Sequence, residues 1–170
     1  MSELWDVYDR NRNLTGRVIE RGALMSEEEY HLVVQVWIKN TEGKWLISRR
    51  TATKSEPLKW EPTGGSVVAG EDSLSGALRE VREELGIVLE KERGKVFRSF
   101  RRDKACWENP GFLDVWVFES DVQLEDVVLQ EEEVCDVKWA TCEEIVQMIE
   151  CDEFVPMKKF PYYIELFSEM

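Results

Sequence analysis

Three glutamates, Glu80, Glu83 and Glu84, stand three and four residues apart, the spacing that gathers side chains on one face of a helix. Three carboxylates so placed repel one another. The arrangement becomes favourable when a hard divalent cation sits among the oxygens, and Mg²⁺ normally arrives with a phosphate-bearing substrate. The helix that must carry them is written in the residues between. Leu74, Ala77, Leu78, Val81 and Leu85 follow the i, i+3, i+4, i+7 pattern, which predicts one buried face. Asp72 or Ser73 can cap its start, and Gly86 can end it in a left-handed turn.

Other elements must hold this helix and complete its site. The run His31 to Ile38 is β-branched and aromatic, and Lys44 to Ser48 follows a turn at Asn40 to Gly43, so both read as central strands. Arg49 and Arg50 close the second strand, and Lys54 and Lys59 follow before Trp60. Arginine forks and lysine charges there suit the distal phosphates of a substrate, and Arg49, Arg50 and Lys59 are the expected binding residues. Beyond the helix, Lys95 to Phe100 and Gly111 to Phe118 read as strands. The loop joining them carries Trp107 among basic residues, a place for a base to stack. Asp121 to Leu129 reads as an acidic loop, Val134 to Ala140 as a strand, and Thr141 caps a helix through Ile149 with Glu144 at the capping-box position. A last helix is expected from Tyr162 to Ser168. Strands and helices so interleaved predict an α/β fold, a mixed sheet covered by helices.

At 170 residues and 43 % hydrophobic, the chain is expected to form one domain over 1–170. Residues 1–30 read as a hairpin-like extension, with Leu4 to Tyr8 and Gly16 to Ile19 as its strands. Its role as a lid, a homodimer contact or an extra sheet edge stays open. A net charge of −13 opposes binding to nucleic acid or to anionic membranes, so a polyphosphate would need a local positive site or a metal. No signal-like or membrane-spanning run is present, which suggests a cytoplasmic protein. Cys106, Cys135, Cys142 and Cys151 show no C-x-x-C spacing, and His31 is the single histidine, so reduced thiols are expected rather than zinc or disulfides.

Gly65, Glu71, Arg79, Glu80, Val81, Glu83, Glu84, Gly86 and Ile87 match G-x5-E-x7-R-E-U-x-E-E-x-G-U without a gap, where U is a bulky aliphatic residue. This stretch resembles the signature of the Nudix hydrolases. The resemblance implies the Nudix α/β/α sandwich with a mixed β-sheet, and hydrolysis of a nucleoside diphosphate linked to another group. It implies Mg²⁺ or Mn²⁺ as cofactor, with Glu80, Glu83, Glu84 and the Gly64 carbonyl as ligands. Arg79 would orient carboxylates, Glu71 included, and a later glutamate, Glu132 or Glu133, would serve as base or further ligand; three consecutive glutamates give no ranking. The flanks, Tyr30 to Val33, Leu46 to Arg50, Trp60 and Glu132 to Trp139, also resemble the isopentenyl-diphosphate isomerases, which share the fold. Those enzymes bind metal through a histidine at the place of His31 and use a cysteine and a second histidine. Here Gly65 takes the place of the cysteine and the second histidine is absent, so hydrolysis is expected. An isomerase-like enzyme and a nucleotide-binding Nudix domain without turnover are the alternatives.

Overall fold

A computed structural model describes residues 2–104, 110–157 and 161–170. Nine strands and three helices succeed one another among them. They are β1 (Leu4–Tyr8), β2 (Leu14–Glu20), β3 (His31–Lys39), β4 (Trp45–Arg50), β5 (Trp60–Glu61), β6 (Thr63–Ser66), α1 (Ser73–Leu85), β7 (Gly94–Arg102), β8 (Gly111–Glu119), β9 (Val134–Ala140), α2 (Cys142–Glu150) and α3 (Tyr162–Glu169). The strands and helices expected from the sequence are present within a few residues. The short strands β5 and β6 are the addition.

The main sheet runs β5-β4-β3-β8-β7, with β6 paired to β3 and β9 to β4. β3 and β8 are parallel over their whole length, His31 opposite Gly111 through Lys39 opposite Glu119, while the other pairs are antiparallel, so the sheet is mixed. β4 touches β3 only at Leu46 and Trp45, opposite Ile38 and Lys39. Nearer the start of β3 its place is taken by β6, where Gly64 lies opposite Gln35 and Gly65 opposite Val34. The strands splay at this point, and the site opens there.

Alternation sorts the side chains of β3 between two cores. Leu32, Val34, Val36 and Ile38 face α1 and pack with Ala77, Val81 and Leu85. Trp37, with Trp45 and Ile47 of β4, faces α2 and α3 and packs with Ile145, Met148, Tyr162 and Leu166. Helices therefore cover both faces, the α/β/α arrangement. Leu85 is 1 % exposed, and its truncation to Ala would cost about 2–5 kcal/mol of stability. Asp72 is the residue that caps α1, accepting the Ser75 amide at 2.7 Å, and Gly86 ends the helix at φ +67°. At α2 both halves of the Thr141–Glu144 capping box form.

β1 and β2 pair as an antiparallel hairpin with a small core of Trp5, Val7, Ile19 and Met25. No helix among the described residues is long and apolar enough to cross a membrane. Cys135, Cys142 and Cys151 are free thiols, and Cys106 lies outside the described residues.

Candidate active site

A cleft of about 630 Å³ opens along the carboxylate face of α1. Its floor is β6, with Gly64, Gly65 and Ser66, and the helix supplies Arg79, Glu80, Glu83 and Glu84. Arg50 and Lys54 stand on one wall, Gln130 and Glu133 close another, and Glu3 and Arg21 enter from the hairpin.

Arg79 organises the acids. Its Nε donates to both oxygens of Glu71 at 3.1 and 3.0 Å, and its Nη1 to Glu80 at 2.9 Å and Glu83 at 3.0 Å. Its Nη2 donates to the Ser66 carbonyl at 3.0 Å, tying the helix to the floor. A planar fork with five donors can reach three carboxylates and a carbonyl at once, more bonds than the three donors of a lysine supply. Glu80 and Glu84 are 9 % and 4 % exposed, whereas the Glu83 side chain is half exposed. Burial raises the Glu80 carboxyl above its ordinary range, against the pull of Arg79. Glu84 is pushed up to about 8, by burial first and then by the neighbouring charges of Glu61 and Glu80.

This donor set suits a hard cation. It is all oxygen, and Glu84 Oε2 is buried without a hydrogen-bond partner among the described residues. A buried carboxylate surrounded by like charges is one that a divalent ion would relieve. Among the described residues no three acidic, His or Cys side chains already close into a ligand set. Arg79 bonds to Glu80 and Glu83, and an entering cation would compete with it for their oxygens.

The structure brings some of the expected residues into this cleft and places others elsewhere. Arg49 does not line the cleft; β4 alternates, and Arg49 points to the α2 face, its guanidinium 5.8 Å from the Trp60 ring centre and its Nε on the Leu58 carbonyl. Lys59 is also elsewhere, bonded at 2.8 Å to both Glu56 and Asp152. The nearby cations that do reach the cleft are Arg50, held by both oxygens of Glu61 at 2.9 and 2.7 Å, and Lys54, paired with Glu133. Glu133 lines the cleft, while Glu132 is exposed and contributes its backbone carbonyl to Thr51 at 3.1 Å. Trp107 lies outside the described residues. His31 is buried away from the cleft, stacked 4.4 Å from Trp5 with Nδ1 against the Pro110 carbonyl at 2.9 Å.

Glu3, Arg21, Glu61 and Gln130 were not anticipated. Arg21 stands beyond the hairpin and carried no local signal, whereas Glu61 is adjacent to Trp60 and could have been suspected as a partner for Arg50.

The family model described as NUDIX domain matches residues 29–160. The chain belongs to the Nudix hydrolase family. An uncharacterized Nudix hydrolase of Listeria monocytogenes is 38 % identical over 156 residues, covering 91 % of this chain and 89 % of that protein. A crystal structure from Deinococcus radiodurans at 25 % identity superposes with a TM-score of 0.70, covering 89 % of this chain and 91 % of the other. The same fold, at 19 % identity and a TM-score of 0.63, occurs in a bifunctional NMN adenylyltransferase/ADP ribose pyrophosphatase from Francisella tularensis, which was solved with AMP and a manganese ion. It covers 81 % of this chain and 40 % of that one. Nudix enzymes generally use divalent metal ions. The Nudix signature of this chain thus supplies the floor and one wall of the cleft.

Proposed function

We propose that the cleft hydrolyses a diphosphate bond in a nucleoside diphosphate linked to another group, with Mg²⁺ or Mn²⁺ held by Glu80, Glu83, Glu84 and the Gly64 carbonyl. The observation that carries this reading is the buried Glu84 oxygen, without a hydrogen-bond partner among the described residues, in a cleft also lined by Glu80, Arg50 and Lys54. When bound, the metal would acidify water and neutralise the bridging phosphates. The remaining work falls to the chain. Arg79 keeps the carboxylates of Glu71, Glu80 and Glu83 in place through five hydrogen bonds, one of them to the floor. Arg50 and Lys54 bind phosphate oxygens, and Glu61 fixes the Arg50 fork in its orientation. Glu133 takes the proton of the attacking water; its pairing with Lys54 gives way when phosphate claims the lysine. A cytoplasmic location is part of this reading, and the free thiols Cys135, Cys142 and Cys151 are compatible with it.

The test is release of phosphate-containing product from nucleoside triphosphates, nucleotide sugars, dinucleotides and isopentenyl diphosphate, each with Mg²⁺, Mn²⁺ or chelator. Metal-dependent cleavage of one nucleotide class is expected. Isomer formation from isopentenyl diphosphate, or tight nucleotide binding without turnover, would overturn the reading.

A further inference from the structure

Residues 1–28 precede the part of the chain matched by the family model, yet the hairpin they form is joined to the signature at several points. The Leu4 carbonyl accepts the Ala69 amide at 2.8 Å, and the Asp6 carboxylate accepts the Gly70 amide at 2.7 Å. Both amides belong to the segment between the floor glycines and Glu71. At the cleft itself, Glu3 and Arg21 stand side by side, joined at 2.9 Å. The far end of the hairpin is fixed by a separate device. Asp9 accepts the backbone amides of Asn11 and Asn13 and so folds the turn, in which Arg12 takes the left-handed conformation at φ +67°. That conformation is unfavourable for arginine and needs compensation. It sends the guanidinium over the Phe112 ring and onto Asp114, a carboxylate 2 % exposed. Two arginine bonds of 2.7 and 2.5 Å meet there with the Ser73 hydroxyl at 2.5 Å and the Ser99 hydroxyl at 2.6 Å. Ser73 is the first residue of α1. One buried carboxylate thus joins the hairpin turn, the start of the signature helix and the two strands β7 and β8.

We infer that Arg12 and Asp114 are a positioning pair for the substrate cleft, setting the N-terminal hairpin and its Glu3–Arg21 wall against the segment that leads into α1. The assignment rests on the diphosphate-binding reading of the cleft. Neither residue touches substrate. The pair acts through the hairpin, which is also bonded to the signature at Ala69 and Gly70 and to the chain before β3 by the paired backbones of Tyr8 and Tyr30; loss of the turn's anchor loosens the wall and the Ala69–Gly70 segment together.

Two substitutions separate positioning from mere support. Arg12→Met keeps the aliphatic stem over Phe112 and removes both bonds to Asp114, whereas Ser99→Ala removes one bond to the same carboxylate and leaves the hairpin attached. The probe is α,β-methylene-ADP with Mg²⁺, titrated calorimetrically well below the melting temperature of each protein. Arg12→Met is expected to weaken binding about tenfold and Ser99→Ala to stay within about twofold of the parent. Amide exchange at Ala69 and Gly70 should accelerate in Arg12→Met alone. Parental affinity in Arg12→Met, or an equal loss in Ser99→Ala, would overturn the inference. If the parent protein fails to bind the probe, the diphosphate reading falls, and exchange still decides the pair: unchanged protection of Ala69 and Gly70 in Arg12→Met would refute the positioning role.

Discussion

Gly65 and Glu80 meet backbone to carboxylate: a Cβ at position 65 would lie 2.5 Å from the carboxyl carbon of Glu80. Any larger residue must displace that side chain. The signature therefore needs glycine here for space at the site. Cysteine at this place, as in the isomerases that the flanks resemble, is incompatible with Glu80 as it stands.

Gly65→Ala is expected to reduce metal-dependent hydrolysis by at least about tenfold, because Glu80 swings off its position. The clash falls on the tip of a flexible side chain, so the melting temperature should move by only a few degrees. Steady-state kinetics with a thermal melt checks both; unchanged hydrolysis would remove Glu80 from the ligand set.

Glu84→Gln separates activity from stability. Hydrolysis should fall at least about 100-fold with the loss of a metal ligand. The metal-free protein should melt higher, since an amide replaces a buried carboxylate that lacks a partner. The parent has a matching pH signature. Its Glu84 carboxyl is raised from 4.5 to about 8, so the folded state holds the proton more tightly than the unfolded chain. That contribution is fully present below pH 4.5 and is lost as pH rises through about 8. Mg²⁺ should therefore stabilise the parent most at alkaline pH and Glu84→Gln much less. Equal stabilisation of both by Mg²⁺, measured across that range, would contradict the assignment.

Glu133→Gln should lower kcat by about 10²-fold or more as a general base is removed, while Glu132→Gln stays within about twofold. The distinction follows from the cleft, which Glu133 lines, whereas Glu132 is exposed and its backbone carbonyl accepts the Thr51 hydroxyl. Equal losses in the two variants would show that the turn, rather than one carboxylate, is what matters.

His31 gives a pH dependence of the opposite sign. Burial lowers its pKa from 6.5 to about 4, against the hydrogen bond that the Pro110 carbonyl accepts from the ring. The unfolded chain therefore binds the extra proton between those values, and stability falls as pH drops from 6.5 towards 4. The gap corresponds to at most about 3 kcal/mol. Denaturant melts of the parent and His31→Phe should differ in slope over this window and run parallel above pH 7. Parallel behaviour throughout would mean that His31 titrates normally.

The sequence by itself determined what depends on neighbours along the chain. The stripe from Leu74 to Leu85, its stop at Gly86 and the shared face of Glu80, Glu83 and Glu84 follow from 3.6-residue periodicity, as the central strands follow from β-branched runs. Even Arg79 and Glu71, eight residues apart, lie within reach of local geometry. Tertiary structure decided which cations and which late glutamate share the cleft. Arg50 was separated from Arg49 by the pleat of β4, Lys54 from Lys59 by their ion-pair partners, and Glu133 from Glu132 by the turn's register against Thr51. The hairpin's share in the site was likewise invisible, because Arg12 meets Asp114 across 102 positions of sequence. A buried carboxylate finds its partner through the packing of whole elements, and no spacing along the chain encodes that distance.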